Sequence, residues 1–444
     1  MEYKTSMTEG VIWKKMLVFC VPLILGNLFQ QLYSTIDSVV VGKLVGKEAL
    51  GAIGSCDPII TFTLGLCIGA SAGAGVIIAQ FYGAKNERSL RTAVHTTIAI
   101  GVVLGVILEI AGIVMVPSIM RWINTPEDVF PTAVLYLQVY FGGLFFTVVF
   151  NMASAILNGC GNSQKSVKYL VISSIVNIVL DLLFVVVFRW GVFGAAFATL
   201  LSQVVSCVMI MLFLFKCDEL YKVDFKAITA EGQTTKDIIK LGLPTAIQNM
   251  VRSGANIMVQ ATVNSFGTLV MAGYAAYIRI DGINWLPLMS LGMAASTFTG
   301  QNIGAGKLDR VKKGIGVSVG MSVAYTLFTG VLLIVFREPV IGIFTDDPGV
   351  VKYGVITLLG YIPLYWLFAI YTTLTGTLSG AGKTFAVMMV SILTQCIFRV
   401  VWILVITRVH NTFWMLLCML PVSWALGIIA VLIYMKLKDW MKQD

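Results

Sequence analysis

Apolar segments long enough to cross a lipid bilayer follow one another along almost the whole chain. The hydrocarbon core of a bilayer takes about 20 apolar residues of helix. Hydropathy and the positions of polar turns predict twelve such helices. They cover residues 16–41, 50–82, 90–116, 131–157, 167–188, 191–216, 240–264, 269–302, 312–336, 350–378, 385–407 and 412–436. The sequence therefore predicts an all-α polytopic membrane protein.

The composition agrees with a membrane environment. Of the 444 residues, 58% are hydrophobic and only 12% are charged, whereas a soluble domain has about 25% charged residues. The formal net charge of +9 raises the question of nucleic acid. However, the Lys and Arg residues lie in short groups between apolar runs, without a basic cluster interleaved with stacking aromatics. We expect membrane lipid, and no nucleic acid, as a partner.

The distribution of basic residues predicts the orientation of the chain in the membrane. Lys and Arg are roughly three times as numerous in the termini and the even-numbered connections as in the odd-numbered connections. Basic residues near helix ends accumulate on the cytoplasmic side. Both termini are therefore predicted to be cytoplasmic, in a multi-pass protein of the cell membrane.

The longest hydrophilic stretch lies at mid-chain, from Cys217 to Asp237. It is predicted to be a cytoplasmic linker between two six-helix halves. The predicted domains are an N-terminal lobe over 1–216, a linker over 217–238 and a C-terminal lobe over 239–444.

The two halves repeat each other. An offset of 222 residues places Pro22 beside Pro244 and Arg88 beside Arg310. With a slip of one residue, QFYGA at 80–84 falls beside QNIGA at 301–305. Self-similarity over a whole half indicates a duplication. Because each half crosses the membrane an even number of times, the halves share one orientation, and repeats of this kind are typical of alternating-access transporters.

Ionisable residues within predicted helices are candidate functional groups, because burying them in a bilayer is unfavourable. Asn177 and Asp181 are four residues apart on one helix face. Asp181 precedes the turn near Trp190 by nine residues and Thr199 follows it by nine, so at 1.5 Å per residue both lie about 13 Å from that turn, at the same level in the membrane. Asp37 lies at a comparable level in the first helix. This oxygen set fits a hard cation. It also fits a proton shared between the carboxylates, or buried carboxylates satisfied by backbone and amide groups.

The second half does not copy this cluster. At the same offset, Val259 and Ile403 replace the two carboxylates, and Arg399 replaces the asparagine. Losing both acids and gaining an arginine makes the matching position repel cations. We therefore expect one coupling-cation site per chain, in the first half.

Polar stripes on two repeat-related helices predict a substrate cavity. A polar face turned to lipid would be untenable, so each stripe should face a watery cleft or make hydrogen bonds between packed helices. In the eighth helix, Arg279 and Asp281 point to different faces. Asp281 is expected to pair across helices, with Arg252 as the candidate partner, or else to contact substrate. The predicted cavity residues are Asn27, Gln30, Ser34, Gln248, Arg252, Asn256, Gln260, Arg279 and Asp281.

These features together resemble the multidrug and toxic compound extrusion (MATE) family. The resemblance rests on twelve helices in two bundles, on the repeated phrases, and on a first-helix series of Asn27, Gln30, Tyr33, Asp37, Val41, Gly42 and Gly46. It implies a cation-coupled antiporter that expels organic, often cationic and amphipathic compounds. It also implies that a first-lobe Na+ or H+ site is formed by Asp37, Asn177, Asp181 and Thr199, with the carbonyl of Ala195 as a further ligand.

The sequence as a whole predicts a secondary active multidrug efflux antiporter in a MATE-like fold. We expect a functional monomer, no enzymatic activity, no cofactor beyond the coupling ion, and no metal beyond a bound Na+. The alternative is a lipid-linked precursor or polysaccharide flippase of a related fold, which would need a more basic cavity. An intramembrane hydrolase would need a nucleophile with a buried base, and the two histidines, His95 and His410, lie near helix ends.

Overall fold

The computed structural model describes residues 5–45, 47–409 and 412–442, with side chains over the same ranges except at 34, 38–41, 43–44, 47–50 and 406–408. Across these ranges the chain is helical and contains no strand, which confirms the all-α prediction. The α-helices are α1 (Ile12–Leu44), α2 (Lys47–Gly83), α3 (Glu87–Trp122), α4 (Phe130–Phe141), α5 (Leu144–Gly159), α6 (Ser163–Asp181), α7 (Gly191–Lys216), α8 (Gly232–Asn264), α9 (Thr268–Gly304), α10 (Leu308–Val335), α11 (Arg337–Gly342), α12 (Pro348–Tyr361), α13 (Tyr365–Gly380), α14 (Thr384–Ser391), α15 (Phe398–Val409) and α16 (Phe413–Leu437).

Each of the twelve predicted segments corresponds to one helix or to one interrupted helix. The fourth segment is α4 and α5, which meet at a bend of 43°. The fifth continues from α6 into a π-helix at Leu182–Val187, and the eleventh has a π-helix at Ile392–Ile397 between α14 and α15. In the tenth, a 3-10 turn at Ile362–Leu364 separates α12 from α13. Within the described part of the chain, 9 helices are long and apolar enough to span a membrane, or 10 with the bent pair.

The helices group into two compact units whose limits differ from the predicted lobes. The first unit contains Val21–Leu243, and the second contains Met7–Cys20 and the residues from Pro244 onward. Helices α1 and α8 therefore each pass from one unit to the other, close to Pro22 and at Pro244. Proline lacks a backbone N–H and weakens a helix at that point.

The mid-chain segment is more ordered than a linker. Helix α8 begins at Gly232, inside the predicted 217–238 linker, because the Glu231 carboxylate accepts hydrogen bonds from the N–H groups of Gln233 and Thr234 and so caps the helix. Farther upstream, the N–H of Asp224 donates to Nε2 of the buried His95 at 2.9 Å. The segment thus belongs to the first unit.

Within each unit, one helix lies at the centre of the packing. In the first unit α5 contacts α2, α3 and α7, and in the second α13 contacts α9, α10 and α16. These sets correspond under the sequence repeat, so the duplication extends to tertiary packing. Glycines permit the closest approach: a Cβ at Gly376 would lie 2.3 Å from the carbonyl oxygen of Gly292, and one at Gly380 would lie 2.1 Å from that of Ser296.

The repeated sequence phrases are helix C-terminal caps. After α2, Lys85 has a φ of 54° and the N–H of Asn86 donates to the carbonyl of Phe81. After α9, Gly306 has a φ of 69° and the next N–H makes the corresponding bond. This six-to-one bond with a left-handed residue satisfies the carbonyls at a helix end. The two helices therefore end in the same cap geometry, formed directly after each phrase.

Candidate functional site

Asp181 lies where the fifth predicted segment changes its helical form. Helix α6 ends at Asp181, and the π-helix begins at the next residue. π-helical turns occur frequently at functional sites. Asn177 lies one turn earlier on the same face, and the exposed fractions of Asn177 and Asp181 are 1% and 0%. Two polar side chains are thus held inside the first unit.

Helix α7 supplies the hydroxyl of this cluster. Nδ2 of Asn177 donates to Oγ1 of Thr199 at 3.4 Å, which leaves Oδ1 of Asn177 available. Ala195 is fully buried one turn before Thr199. Among the described residues, Oδ1 of Asn177 and both carboxylate oxygens of Asp181 have no hydrogen-bond partner. We call Asp37, Asn177, Asp181 and Thr199 the acidic cluster.

Asp37 is brought to the cluster by close packing of α1 on α6. A Cβ at Gly26 of α1 would lie 2.8 Å from Cγ1 of Val167. From this contact, Asp37 is about 16 Å along α1 and Asp181 about 21 Å along α6 at 1.5 Å per residue. The two carboxylates lie close enough for their charges to interact, and Oδ1 of Asp37 is buried with no hydrogen-bond partner in the described chain.

The acidic cluster lacks the compensation that buried carboxylates need. Burying a carboxylate without hydrogen bonds or a counter-charge is strongly unfavourable, and a second negative charge nearby adds repulsion. A bound cation or a proton would relieve both effects. Two carboxylates, an amide oxygen and a hydroxyl are oxygen ligands, which favour a hard cation or a proton. Over the described ranges, no group of three or more His, Cys, Asp or Glu side chains is arranged to hold a metal ion.

Sequence reasoning did not assign a site role to several polar neighbours of the cluster. Tyr33 lies one turn before Asp37 on α1, and Tyr136 packs in the buried cluster that contains Ala195. Tyr140, four residues after Tyr136, lies beside the side chain of Gln203. A signal was present for Gln203, because it follows Thr199 by four residues and shares its helix face.

The second unit contains a cavity of about 410 Å³. The polar stripe predicted on the seventh helix lines it, through Gln248, Arg252, Asn256 and Gln260 of α8, and Asp281 of α9 joins them. Such a volume lies within the range of drug-sized pockets, about 300–1,000 Å³. We call this space the arginine cavity.

The expected ion pair between Arg252 and Asp281 is not formed. The Arg252 guanidinium lies 5.6 Å from the centre of the Trp285 ring. The carboxylate of Asp281 accepts a hydrogen bond from the hydroxyl of Tyr277 at 3.1 Å. Tyr277 lies one turn away on the same helix, so it reaches the carboxylate locally, and no ion pair that includes either charged residue occurs within the described residues.

Arg399 also lines the arginine cavity and is 6% exposed. Its guanidinium donates to the side chains of Gln395, Asn256 and Ser423, all of which are neutral. The sequence indicated Arg399 as the replacement for Asn177 and as one of the arginines of a more basic cavity, and the structure places it in the cavity. The π-helix at Ile392–Ile397 directly precedes α15, which carries it.

The remaining predicted cavity residues are dispersed. Arg279 is exposed and does not line the arginine cavity, since it lies on a different face of α9 from Asp281. Asn27 is half-buried on α1, and the exposed Gln30 hydrogen-bonds to Tyr33. The side chain of Ser34 lies outside the described residues. That the two polar stripes face one cleft stays a prediction.

The MatE family model matches residues 22–183 and, a second time, residues 244–405. The chain belongs to the MatE family. The two matches begin at the prolines that the repeat aligned, Pro22 and Pro244, so the family unit is itself the duplicated half. The acidic cluster falls in the first match except for Thr199, and the arginines of the cavity fall in the second.

Relatives and solved structures extend the similarity to nearly the whole chain. The chain is 29% identical over 392 residues to the probable multidrug resistance protein YpnP of Bacillus subtilis (strain 168), covering 88% of each chain. It is 26% identical to the probable multidrug resistance protein NorM of Thermotoga maritima, covering 86% of this chain and 83% of that protein. A crystal structure of MATE in complex with MaD3S has a TM-score of 0.90 at 23% identity and covers 99% of both chains. The MATE-like fold prediction is confirmed.

Proposed function

We propose that this MatE-family protein is a secondary active multidrug efflux antiporter, which exports organic compounds in exchange for Na+ or H+ by alternating access. Two of its relatives carry the name of probable multidrug resistance proteins and share most of their length with it. Drugs or other toxic organic compounds are the proposed cargo. The coupling ion is the only cofactor in this proposal.

One observation carries the coupling part of the proposal. Asp181 is fully buried beside Asp37, and neither of its carboxylate oxygens has a hydrogen-bond partner in the described chain. A cation or proton bound there would offset the negative charge of the acidic cluster. Such an ion shifts a conformational equilibrium only if the two conformations bind it with different affinity. The proposed mechanism therefore requires that the acidic cluster holds its ion more tightly in one access state.

The driving force is sufficient for useful export. One positive charge entering down a membrane potential of 100 mV supplies about 2.3 kcal/mol. That free energy sustains roughly a fifty-fold outward accumulation of a neutral solute in one-for-one exchange. A concentration gradient of the ion adds to it.

The proposal includes location and assembly. The excess of basic residues on one side supports cytoplasmic termini in the cell membrane. Each unit holds its own buried polar site, so a single chain contains all the proposed groups, and a monomer is the proposed functional state.

The test is dye export from proteoliposomes, with Na+ and pH gradients imposed separately. Asp37→Asn should abolish gradient-driven export while leaving expression unchanged. The matched control is Glu109→Gln, which removes another half-buried carboxylate: Oε2 of Glu109 accepts a bond from the N–H of Phe145, a structural role that an amide oxygen can fill. Robust Na+- or H+-driven export by Asp37→Asn would refute the assignment.

A flippase for lipid-linked precursors is the second candidate, and the two arginines of the arginine cavity favour it. A lipid-linked pyrophosphate carries several negative charges that arginines could bind. In proteoliposomes, translocation of such a lipid without an ion gradient, together with no gradient-driven dye export, would support the flippase over the antiporter.

A further inference from the structure

The arginine cavity holds more positive than negative charge. Among the described residues that line it, Arg252 and Arg399 are cationic and Asp281 is the only acid. Arginine stays protonated in proteins, so the cavity lining has a formal charge of +1. Both guanidiniums line the same cavity of about 410 Å³. A buried charge needs a counter-charge or full hydrogen bonding to be tolerated.

Neither arginine obtains its counter-charge from Asp281. That carboxylate is held by the hydroxyls of Tyr277 and Tyr365. Within the described part of the chain, Arg399 donates only to neutral oxygens, and two of these bonds are long, at 3.4 Å to Asn256 and 3.4 Å to Ser423. The guanidinium of Arg252 lies over the ring of Trp285. Within the described residues, the guanidinium groups of the cavity have neutral partners. A charge-assisted hydrogen bond to an anion would be stronger than these bonds.

Aromatic side chains form a large part of the wall, beside aliphatic and neutral polar ones. Tyr274, Tyr361, Tyr371, Phe368 and Trp424 line the cavity in addition to Trp285 and the tyrosines that hold Asp281. Flat rings favour a flat apolar ligand, through stacking and edge-to-face contacts. The wall and the charge together select a ligand that is planar and negatively charged.

We propose that the arginine cavity binds a small organic anion, with one carboxylate or sulfonate held by Arg252 and Arg399 and an aromatic body packed on the surrounding rings. This inference rests on the proposed function in taking the ligand as cargo, and it narrows that cargo at this site to anions. It also separates the two units by charge, since the acidic cluster of the first unit favours a cation.

The test is equilibrium binding to the purified full chain in phosphatidylcholine nanodiscs, by isothermal titration calorimetry at fixed ionic strength without an ion gradient. The probes are 2-naphthoate, the neutral 2-naphthamide and the cationic 2-naphthylmethylammonium, which share one ring system. We expect 2-naphthoate to bind at least 10-fold more tightly than either of the other two. Equal affinities, or tightest binding of the cation, would overturn the proposal.

Three variants locate the anion. Arg252→Gln should weaken 2-naphthoate binding by about 10- to 100-fold, the range for loss of a charge-assisted hydrogen bond. Arg279→Gln is the matched control, because it removes an equal charge from the same helix pair outside the cavity, and it should leave the affinity within twofold. Arg399→Lys keeps the charge but loses the planar fork, and should weaken binding less than Arg252→Gln does. Equal losses in Arg252→Gln and Arg279→Gln would overturn the assignment.

Two further comparisons identify the source of the anion and separate this inference from the proposed function. If phosphatidylglycerol nanodiscs abolish 2-naphthoate binding, an anionic lipid head group occupies the cavity, and the assignment to a soluble organic anion is overturned. Binding of 2-naphthoate by a protein that exports no dye under any gradient would support this inference and refute the antiporter. Gradient-driven dye export by a protein that does not bind 2-naphthoate would support the antiporter and refute this inference.

Discussion

The charge of Asp181 is the feature of the acidic cluster whose removal has the largest calculable effect. At an effective dielectric constant of about 20, a carboxylate about 4 Å from a monovalent cation attracts it by about 4 kcal/mol. Asp181→Asn keeps the shape and one carbonyl oxygen but removes this attraction. The cation concentration that gives half-maximal export should therefore rise by about 100- to 1,000-fold.

The assay is dye export by proteoliposomes, with external Na+ varied at constant pH in one series and external pH varied without Na+ in another. In whichever series drives the wild type, Asp181→Asn should fall to the gradient-independent leak. Asn177→Ala, which removes a neutral oxygen, should shift half-saturation by only about 10-fold. Half-saturation of Asp181→Asn within threefold of the wild type would refute the electrostatic argument.

Stability gives an independent check on the same residue. Both carboxylate oxygens of Asp181 lack partners in the described chain, so the charged form destabilises the folded protein. In Na+-free buffer at pH 8.5, Asp181→Asn should unfold at the same temperature as the wild type or a few degrees higher. An unfolding temperature several degrees below that of the wild type would mean that the Asp181 carboxylate stabilises the fold. That result would contradict the assignment of Asp181 to ion binding.

Three further predictions concern the fold. Glu231→Ala should lower the protection of the first amides of α8 from hydrogen exchange. Hydrogen bonds from the backbone and side chain of Thr234 lower the pKa of Glu231, so the cap is present above the ordinary carboxyl pKa of about 4.5 and is lost as pH falls through the lowered value. Protection factors in the wild type that stay constant over this pH range would contradict it. His95→Phe removes the acceptor for the N–H of Asp224, and should expose residues 217–231 to trypsin; unchanged cleavage would count against it. Gly376→Ala should destabilise the protein by at least about 1–3 kcal/mol, because the new methyl group overpacks its site. Gly320→Ala has open space around its Cβ and should stabilise the helix by about 0.5–1 kcal/mol. Thermal unfolding of the two variants distinguishes these effects.

The domain boundary illustrates where sequence patterns mislead. Residues 232–238 have the composition of a linker, yet they form the capped first turns of α8. A helix start rich in polar residues and a linker have the same composition. Residues 7–20 join the second unit through contacts such as the hydrogen bond from the N–H of Met7 to Oε1 of Gln301. These two residues are far apart in sequence, so no local pattern predicts the contact.

The amino-acid sequence by itself determined the twelve helical segments, the duplication and the grouping of Asn177 with Asp181, because hydropathy, repeats and helical spacing are properties of neighbouring residues along the chain. The tertiary structure decided which charged groups meet. It placed Arg399 in the arginine cavity and Arg279 outside it. It also showed that Asp281 accepts a hydrogen bond from a tyrosine hydroxyl and forms no ion pair with Arg252 in the described chain. Electrostatic partners depend on distances between side chains of different helices, and these are set only when the helices pack.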